Sequence, residues 1–338
     1  GTLGTCMGAA SALLIVLFVY WIYRPVQAKL ERRDHSGGMY SSLYLFQILI
    51  ITIIPIALSQ TVYNISGLID YKVFGALYGG RGVDEHTISQ LVGVYSSKYR
   101  LLCSVPIAIS TAVASSMIPS AVAAFTNQDI RQWKKNVSSG IKFNMIIAIP
   151  CAAGLTMLGI PIVKMLFYSG EYVQGVPSYV FGGRMLMTGA AAIVFYALSN
   201  VTGGALQSID KMRLPVIHSA VSLVLHIGLV ALLIQYTNVG IYALIIGNVT
   251  FPAVVYILNL VAIKRYVPSY RQEVTKTFLA PVAASLWMAV SIAIVYWLSD
   301  KLTGSNVVCT LLSVCAGVFV YFMAFLLLRG LTKDELYD

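Results

Sequence analysis

Charge is scarce in this chain. Only 11% of its 338 residues are Asp, Glu, Lys or Arg, against about 25% in soluble domains, while 58% are hydrophobic. No water-soluble core needs so much apolar sequence. Acidic residues are scarcer still, 13 against 23 basic ones, and almost none falls at membrane depth. A membrane-embedded glycosyltransferase or polymerase needs a carboxylate as base or metal ligand and a sizeable loop, and neither is present, so the chain is not expected to be an enzyme. There is no Gly-rich phosphate cradle and no Ser/His/Asp arrangement outside the apolar runs. The five cysteines, Cys6, Cys103, Cys151, Cys309 and Cys315, lack paired spacing, so neither a disulfide framework nor a metal site is indicated. They read as packing residues.

What is present is a series of apolar runs, each of about 20 residues, the length that crosses a hydrocarbon core of roughly 30 Å. Nine spans are expected, at 4–23, 44–68, 98–123, 141–162, 180–203, 215–234, 238–262, 278–299 and 306–328. A barrel is excluded because its strands alternate apolar and polar residues, whereas Leu13 to Phe18 is apolar throughout. The fold class is therefore all-α, a polytopic membrane helical bundle.

The formal charge of +10 would suggest nucleic acid if the basic residues were spread evenly. They are not. Alternate connections hold Arg24, Lys29, Arg32 and Arg33; Arg131, Lys134, Lys135 and Lys142; Lys211 and Arg213; Lys264, Arg265, Arg271 and Lys276; and Arg329 and Lys333, together 16 of the 23. The intervening connections hold Lys72, Arg81, Lys98, Arg100, Lys164 and Lys301, with Arg184 inside a span. The positive-inside rule makes the first set cytoplasmic, which puts the N-terminus outside and the C-terminus in the cytoplasm. The first span lacks a basic segment before it and carries its positive charges after it, opposite to a signal peptide. With no initiating Met, an upstream segment is expected. Lys333 to Leu336 spells a retention-like tetrapeptide, but Tyr337 and Asp338 follow it, so it is a chance match.

The longest outside connection, 69–97, carries Gly79, Gly80 and Gly82, then an amphipathic stretch from Asp84 with Ile88, Leu91, Val92 and Tyr95 on one face. A short helix at the outer surface is predicted. Pro55, Pro106, Pro119, Pro150 and Pro252 sit inside apolar runs, where each favours a kink. Together they point toward a moving bundle, although proline is also commoner in membrane helices generally.

Polar side chains inside the hydrocarbon region are costly and therefore informative. They are Gln60, Asn64, Asp70, Arg100, Arg184, Asn200, His226 and Asn248. Gln60 and Asn64 share a helical face that is expected to look into a cavity. Asp70 either binds a cation or proton or sits at headgroup level paired with Lys72. Arg100 and Arg184 begin their spans from the outer side, where a guanidinium snorkels or holds a phosphate; Arg184 is the deeper by residue count. His218 and His226 lie two turns apart without a Cys, Asp or Glu at ligand spacing, and a hydrogen-bonded packing role is the plainer reading. Asn-x-Ser/Thr occurs at Asn64, Asn136, Asn200 and Asn248, all in spans or cytoplasmic loops, so glycosylation is not implied.

Three stretches resemble the polysaccharide-exporter branch of the multidrug/oligosaccharidyl-lipid/polysaccharide flippase superfamily, with its stage V sporulation B and lipid II flippase members. Val105 to Val122 resembles the eighth helix of that family, Ile149 to Phe167 the ninth helix and the turn after it, and Gly204 to Pro215 the cytoplasmic link between the tenth and eleventh helices. The family has fourteen helices, so the resemblance implies that the nine spans are helices six to fourteen. Residues 1–43 would then be the last helix of an incomplete N-terminal lobe and its linker, 44–262 a six-helix C-terminal lobe, and 263–338 two additional helices and a tail.

The resemblance implies a flippase of the bacterial cytoplasmic membrane that moves an undecaprenyl-pyrophosphate oligosaccharide or peptidoglycan precursor between lobes, with cell-wall synthesis proteins as possible partners. By the same resemblance Arg100 would hold the substrate pyrophosphate, with Arg184 joining it on the strength of its depth in its span. Asp70 would match the acidic position of a sodium site, with Asn64, Gln60, His226 and Asn248 as further cation-coupling candidates and sodium or a proton as the coupling ion. His226 stands where relatives carry Asn. A cation-coupled multidrug exporter and a non-transporting scaffold of a cell-wall synthesis complex are the alternatives.

Overall fold

The chain is helical because each apolar run must satisfy its own backbone hydrogen bonds in lipid. The computed structural model describes residues 2–32, 41–328 and 330; Arg33, Arg329, Lys333 and the tetrapeptide at 333–336 lie outside them. Among the described residues there are twelve α-helices, in chain order α1 (Thr2–Glu31), α2 (Ser42–Gly79), α3 (Glu85–Val94), α4 (Leu101–Thr126), α5 (Ile130–Met157), α6 (Gly159–Phe167), α7 (Ser178–Gly189), α8 (Ala191–Ser208), α9 (Arg213–Tyr236), α10 (Tyr242–Tyr266), α11 (Ala280–Thr303) and α12 (Asn306–Leu327). A two-residue hairpin, β1 (Tyr172–Val173) and β2 (Val176–Pro177), precedes α7. Two units are distinguished, Gly1–Ile51 and Thr52–Asp338. The first holds α1, a 30-residue helix with Pro25 inside it and Lys29 in its last turn, and the opening of α2.

Among the described residues seven helices are long and apolar enough to cross a membrane, or eight when the bent pair α7 and α8 counts as one span. The expected span at 44–68 lies within the 38-residue α2. Three expectations about helix continuity change. The stretch from Asp84 is not a separate surface helix, because α3 runs through a π-helical turn, Tyr95–Arg100, into α4 as one length of 42 residues. Asp84 caps it, its carboxylate accepting from the Thr87 amide at 2.8 Å and the Thr87 hydroxyl at 2.8 Å, and no breaker comes after it. The 141–162 span crosses a stop at Leu158 between α5 and α6. The 180–203 span is bent by 48° between α7 and α8.

The stop at Leu158 comes one turn before Pro161, which has no amide to donate to the Met157 carbonyl, whereas the α7/α8 bend has no proline. Pro106, Pro119, Pro150 and Pro252 all lie inside continuing helices, and the Pro55 side chain lies outside the described residues. The bend at Ala190 comes directly after Gly189, where an added Cβ would stand 2.5 Å from the Tyr99 ring and hydroxyl. Close packing of a neighbouring helix, not a missing amide, sets this bend.

The second unit is a bundle in which α4 packs between α5 and α8, α10 between α8 and α9, and α11 and α12 pair with each other against α5 and α6. Its main core holds Phe74, Tyr95, Tyr99, Trp133, Met185 and Ile193 among many others, and a smaller one gathers Leu158, Ala284, Met288, Ile292, Tyr321 and Phe325. Large apolar side chains cover the outside, among them Val224 and Leu225 on α9, Leu286 and Trp287 on α11 and Phe319 on α12. So broad an apolar exterior fits a lipid solvent and not water. The polar groups are turned inward: the buried stripe of α9 reads Ser219, Ser222, His226, Val230, Ile234.

Candidate functional site

Two openings flank α4. On one side lies a polar cavity of about 220 Å³ lined by Tyr63 and Asn64 of α2, Arg100 of the π turn, Cys103, Ser104, Ile107 and Thr111 of α4, Tyr196 and Asn200 of α8, and Asn248 of α10. On the other lies a cleft of about 450 Å³ whose α4 wall is Leu102, Val105 and Pro106. Ile147 and Leu155 of α5, Met288 and Ile292 of α11, and Val314 and Phe322 of α12 complete it, with no charged residue among its lining.

The π turn aims Arg100. Inserting one residue into an α-helical turn rotates the rest of the helix, and such turns recur at functional positions. Here Tyr95, Lys98 and Tyr99 turn inward while the Arg100 guanidinium lies on Gly67 of α2, so that a Cβ on Gly67 would collide with Arg100 Nη1. A side chain at position 67 would have to push that guanidinium aside.

The walls of the cavity are tied by a chain of hydrogen bonds. The Tyr196 hydroxyl donates to Asn248 Oδ1 at 2.9 Å, Asn248 Nδ2 donates to the Tyr99 hydroxyl at 2.9 Å, and that hydroxyl donates to the Gly189 carbonyl at 3.1 Å. The chain ends at the last residue before the α7/α8 bend. Asn200 Nδ2 donates to Thr111 Oγ1 at 2.9 Å. Buried Lys98 donates to Ser178 Oγ at 2.7 Å.

Asp70 does not pair with Lys72. Its Oδ1 lies 2.6 Å from His226 Nε2, and both side chains are buried, at 6% and 2% exposure. The imidazole rests on Gly247, whose added Cβ would be 2.5 Å from His226 Cε1, and meets the Phe251 ring edge-on. His226 Nδ1 has no hydrogen-bond partner. His218 is engaged separately, its Nδ1 lying 2.7 Å from Asn259 Oδ1, so the two histidines do not form a joint site.

Of the residues singled out from sequence, the structure brings Asn64, Arg100, Asn200 and Asn248 to one cavity and pairs Asp70 with His226. Arg184 is exposed on α7 and is not among the cavity's lining. The Gln60 side chain lies outside the described residues. Sequence reasoning missed Tyr63, Ser104, Thr111 and Tyr196, which carry the cavity's hydroxyls, and Tyr99, which ties its wall. Their signal was present as hydroxyl-bearing residues within apolar runs, but tyrosine is common enough there to pass unnoticed.

Comparison with known proteins agrees with this architecture. A solved structure of the lipid II flippase MurJ in an inward closed conformation superposes with a TM-score of 0.59 at 18% identity, covering 92% of this chain and 59% of that one. The Bdellovibrio bacteriovorus protein named "Probable lipid II flippase MurJ" is 25% identical over 229 residues, 67% of this chain and 42% of its own length. The Bacillus subtilis "Uncharacterized membrane protein YabM" is 23% identical over 215 residues, 63% of this chain and 37% of its own length. The chain thus spans less than half the length of these two relatives. The family model of the lipid II flippase MurJ matches residues 82–317, a stretch running from the start of α3 into α12, and this multi-pass membrane protein belongs to the lipid II flippase MurJ family.

Proposed function

We propose that this chain contributes the substrate-handling bundle of a flippase for lipid-linked pyrophosphate sugars, which carries a polyprenyl-pyrophosphate precursor across the membrane by alternating access. The observation that carries this reading is the apposition of a polar cavity holding Arg100 and an uncharged apolar cleft on opposite sides of one helix, α4. A lipid-linked pyrophosphate has the same two halves. A guanidinium holds phosphate oxygens in bidentate fashion, tyrosine and asparagine side chains suit sugar hydroxyls, and an isoprenoid tail needs only apolar walls. No covalent chemistry is required, and any driving gradient acts through unequal affinity for the two access states.

In this reading the phosphate role falls to Arg100 and not to Arg184. The membrane orientation is taken from the basic connections, with nine spans, the N-terminus outside and the C-terminus in the cytoplasm. The test is Arg100→Gln in the full-length protein, which is expected to abolish exposure of the lipid-linked precursor at the outer face at normal expression, with Arg184→Gln leaving it intact. Unchanged exposure in Arg100→Gln removes the assignment. Reporter fusions after Lys135 and after Lys301 are expected to report cytoplasm and exterior.

A further inference from the structure

Three of the connections expected outside, after α2, before α7 and between α9 and α10, meet around a further cavity of about 340 Å³. Tyr78 comes from the end of α2, Gln174 from the β1/β2 turn, Phe181 from α7, Asn238 and Gly240 from the link after α9, and Tyr242 from the start of α10. The cavity is larger than the one at Arg100 and shares no lining residue with it. Its volume falls within the roughly 300–1,000 Å³ of small-molecule sites. No charged residue is among its lining. A phosphate or a metal ion would find its charge unanswered there, so the chemistry points to a neutral ligand.

The walls are held in place by bonds that no ligand has to supply. Arg81, just past α2, donates from Nη1 to the Thr237 carbonyl at 3.0 Å and from Nη2 to the Gln235 carbonyl at 3.2 Å. One guanidinium thus ties the connection next to Tyr78 to the one that carries Asn238. The Tyr78 ring is backed by Phe74, stacked with centroids 4.7 Å apart, and the rings of Phe181 and Tyr242 lie tilted at 6.3 Å. Gly240 has a φ of +57°, and a Cβ there would come within 3.1 Å of the Tyr78 hydroxyl. Glycine lets the link turn beside the tyrosine without filling the space.

One lining residue is not explained by turn chemistry. Val173 pairs with Val176, which leaves Gln174 and Gly175 as a two-residue loop with φ of 51° and 75°. Such a turn favours Asn, Asp or Gly at its first position, and glutamine is held there in a sparsely populated conformation at a cost. What glutamine adds over glycine is a carboxamide. This one is exposed and lines the cavity, and Asn238 supplies a second in the same situation.

Aromatic rings offer flat apolar faces, while carboxamides both donate and accept hydrogen bonds. A sugar ring presents the complement of both, with C–H groups on its faces and hydroxyls around its edge. We propose that this cavity is a binding site for a neutral sugar ring at the outer face, with Tyr78, Phe181 and Tyr242 against the ring and Gln174 and Asn238 on its hydroxyls. The outer placement and the source of the sugar rest on the proposed function. In that reading the cavity holds a sugar of the precursor headgroup once it has reached the outer side.

Purified full-length protein in phospholipid nanodiscs, free of glycosidic detergent, is probed by saturation-transfer NMR with glucose, galactose, mannose, N-acetylglucosamine and N-acetylgalactosamine, and with glucuronate as a charged counterpart. At least one neutral sugar is expected to receive saturation and glucuronate none. Gln174→Gly and Asn238→Leu are each expected to weaken that binding by about threefold to tenfold, the loss of one hydrogen bond. Gln174→Gly is expected to do so while keeping or raising the thermal midpoint, because glycine suits the turn. No saturation of any neutral sugar, or saturation that survives both substitutions, overturns the site and leaves the proposed function standing; equal saturation of glucuronate overturns the neutral specificity. Failure of the Arg100→Gln test removes the proposed function and leaves a sugar site detected in this way standing. For sidedness, Asn238→Cys in a background with the five native cysteines replaced by alanine is expected to react with a membrane-impermeant maleimide in intact spheroplasts. Reaction only after permeabilisation, or none at all, overturns the outer placement.

Discussion

The two sides of α4 answer to different rules. Cys103, Ser104, Ile107 and Thr111 face a cavity whose walls are linked from Tyr196 through Asn248 and Tyr99 to the Gly189 carbonyl, with Thr111 itself held by Asn200. Leu102, Val105 and Pro106, one step round the same helix, face a cleft where size and apolarity are the only requirements. A directional hydrogen-bonded wall tolerates little substitution, while an apolar wall tolerates most changes that keep its volume. In the proposed function, the helix thus separates a site that discriminates a headgroup from one that accepts a tail.

The largest effect should come from filling the one space that the polar side keeps open. Gly67→Leu is expected to displace the Arg100 guanidinium and abolish inorganic pyrophosphate binding in calorimetry, as completely as Arg100→Gln. On the apolar side, Ile147→Gln should weaken a prenyl pyrophosphate by about tenfold, near 1.4 kcal/mol, and leave inorganic pyrophosphate untouched. If both ligands weaken equally, head and tail are not divided by α4. Smaller again is Tyr99→Phe, which removes the bond to the Gly189 carbonyl and the acceptor for Asn248. Its expected cost is about 1 to 3 kcal/mol of stability, read from thermal unfolding in detergent.

The smallest effects lie outside the comparison and calibrate it. Gly75 has open space around its Cβ position, so Gly75→Ala is expected to stabilise α2 by about 0.5 to 1 kcal/mol, opposite in sign to any change at Gly67. The Thr87 amide and hydroxyl hold the exposed Asp84 carboxyl below the usual carboxylate range. A depressed carboxylate stabilises the fold above its unfolded titration and loses that contribution as pH falls through its folded one. The gap in unfolding midpoint between wild type and Asp84→Ala should therefore close in acid.

Much of the bundle could be read from residue order because lipid imposes a length on every apolar run. What escaped was anything that depends on a neighbour. The α7/α8 bend has no proline to announce it; it arises where Gly189 meets Tyr99, 90 residues earlier in the chain. Arg184 lies about five residues into its expected span by count, and count alone could not show that its side chain is exposed on α7 and apart from the polar cavity's lining. Asp70 and His226 were each visible as costly residues in apolar sequence, but nothing in a separation of 156 residues signals that they touch. The π turn likewise has no pattern of its own in TyrSerSerLysTyrArg.

That turn carries a mechanical implication. A π turn holds one residue more than an ordinary α turn, and letting it relax would ratchet the rest of α4 by roughly 100° of rotation and 1.5 Å of advance. Val105 and Ser104 are neighbours separated by that same angle. One relaxed turn would move each α4 side chain into the place of its neighbour in sequence, changing the wall that α4 presents to both openings at once.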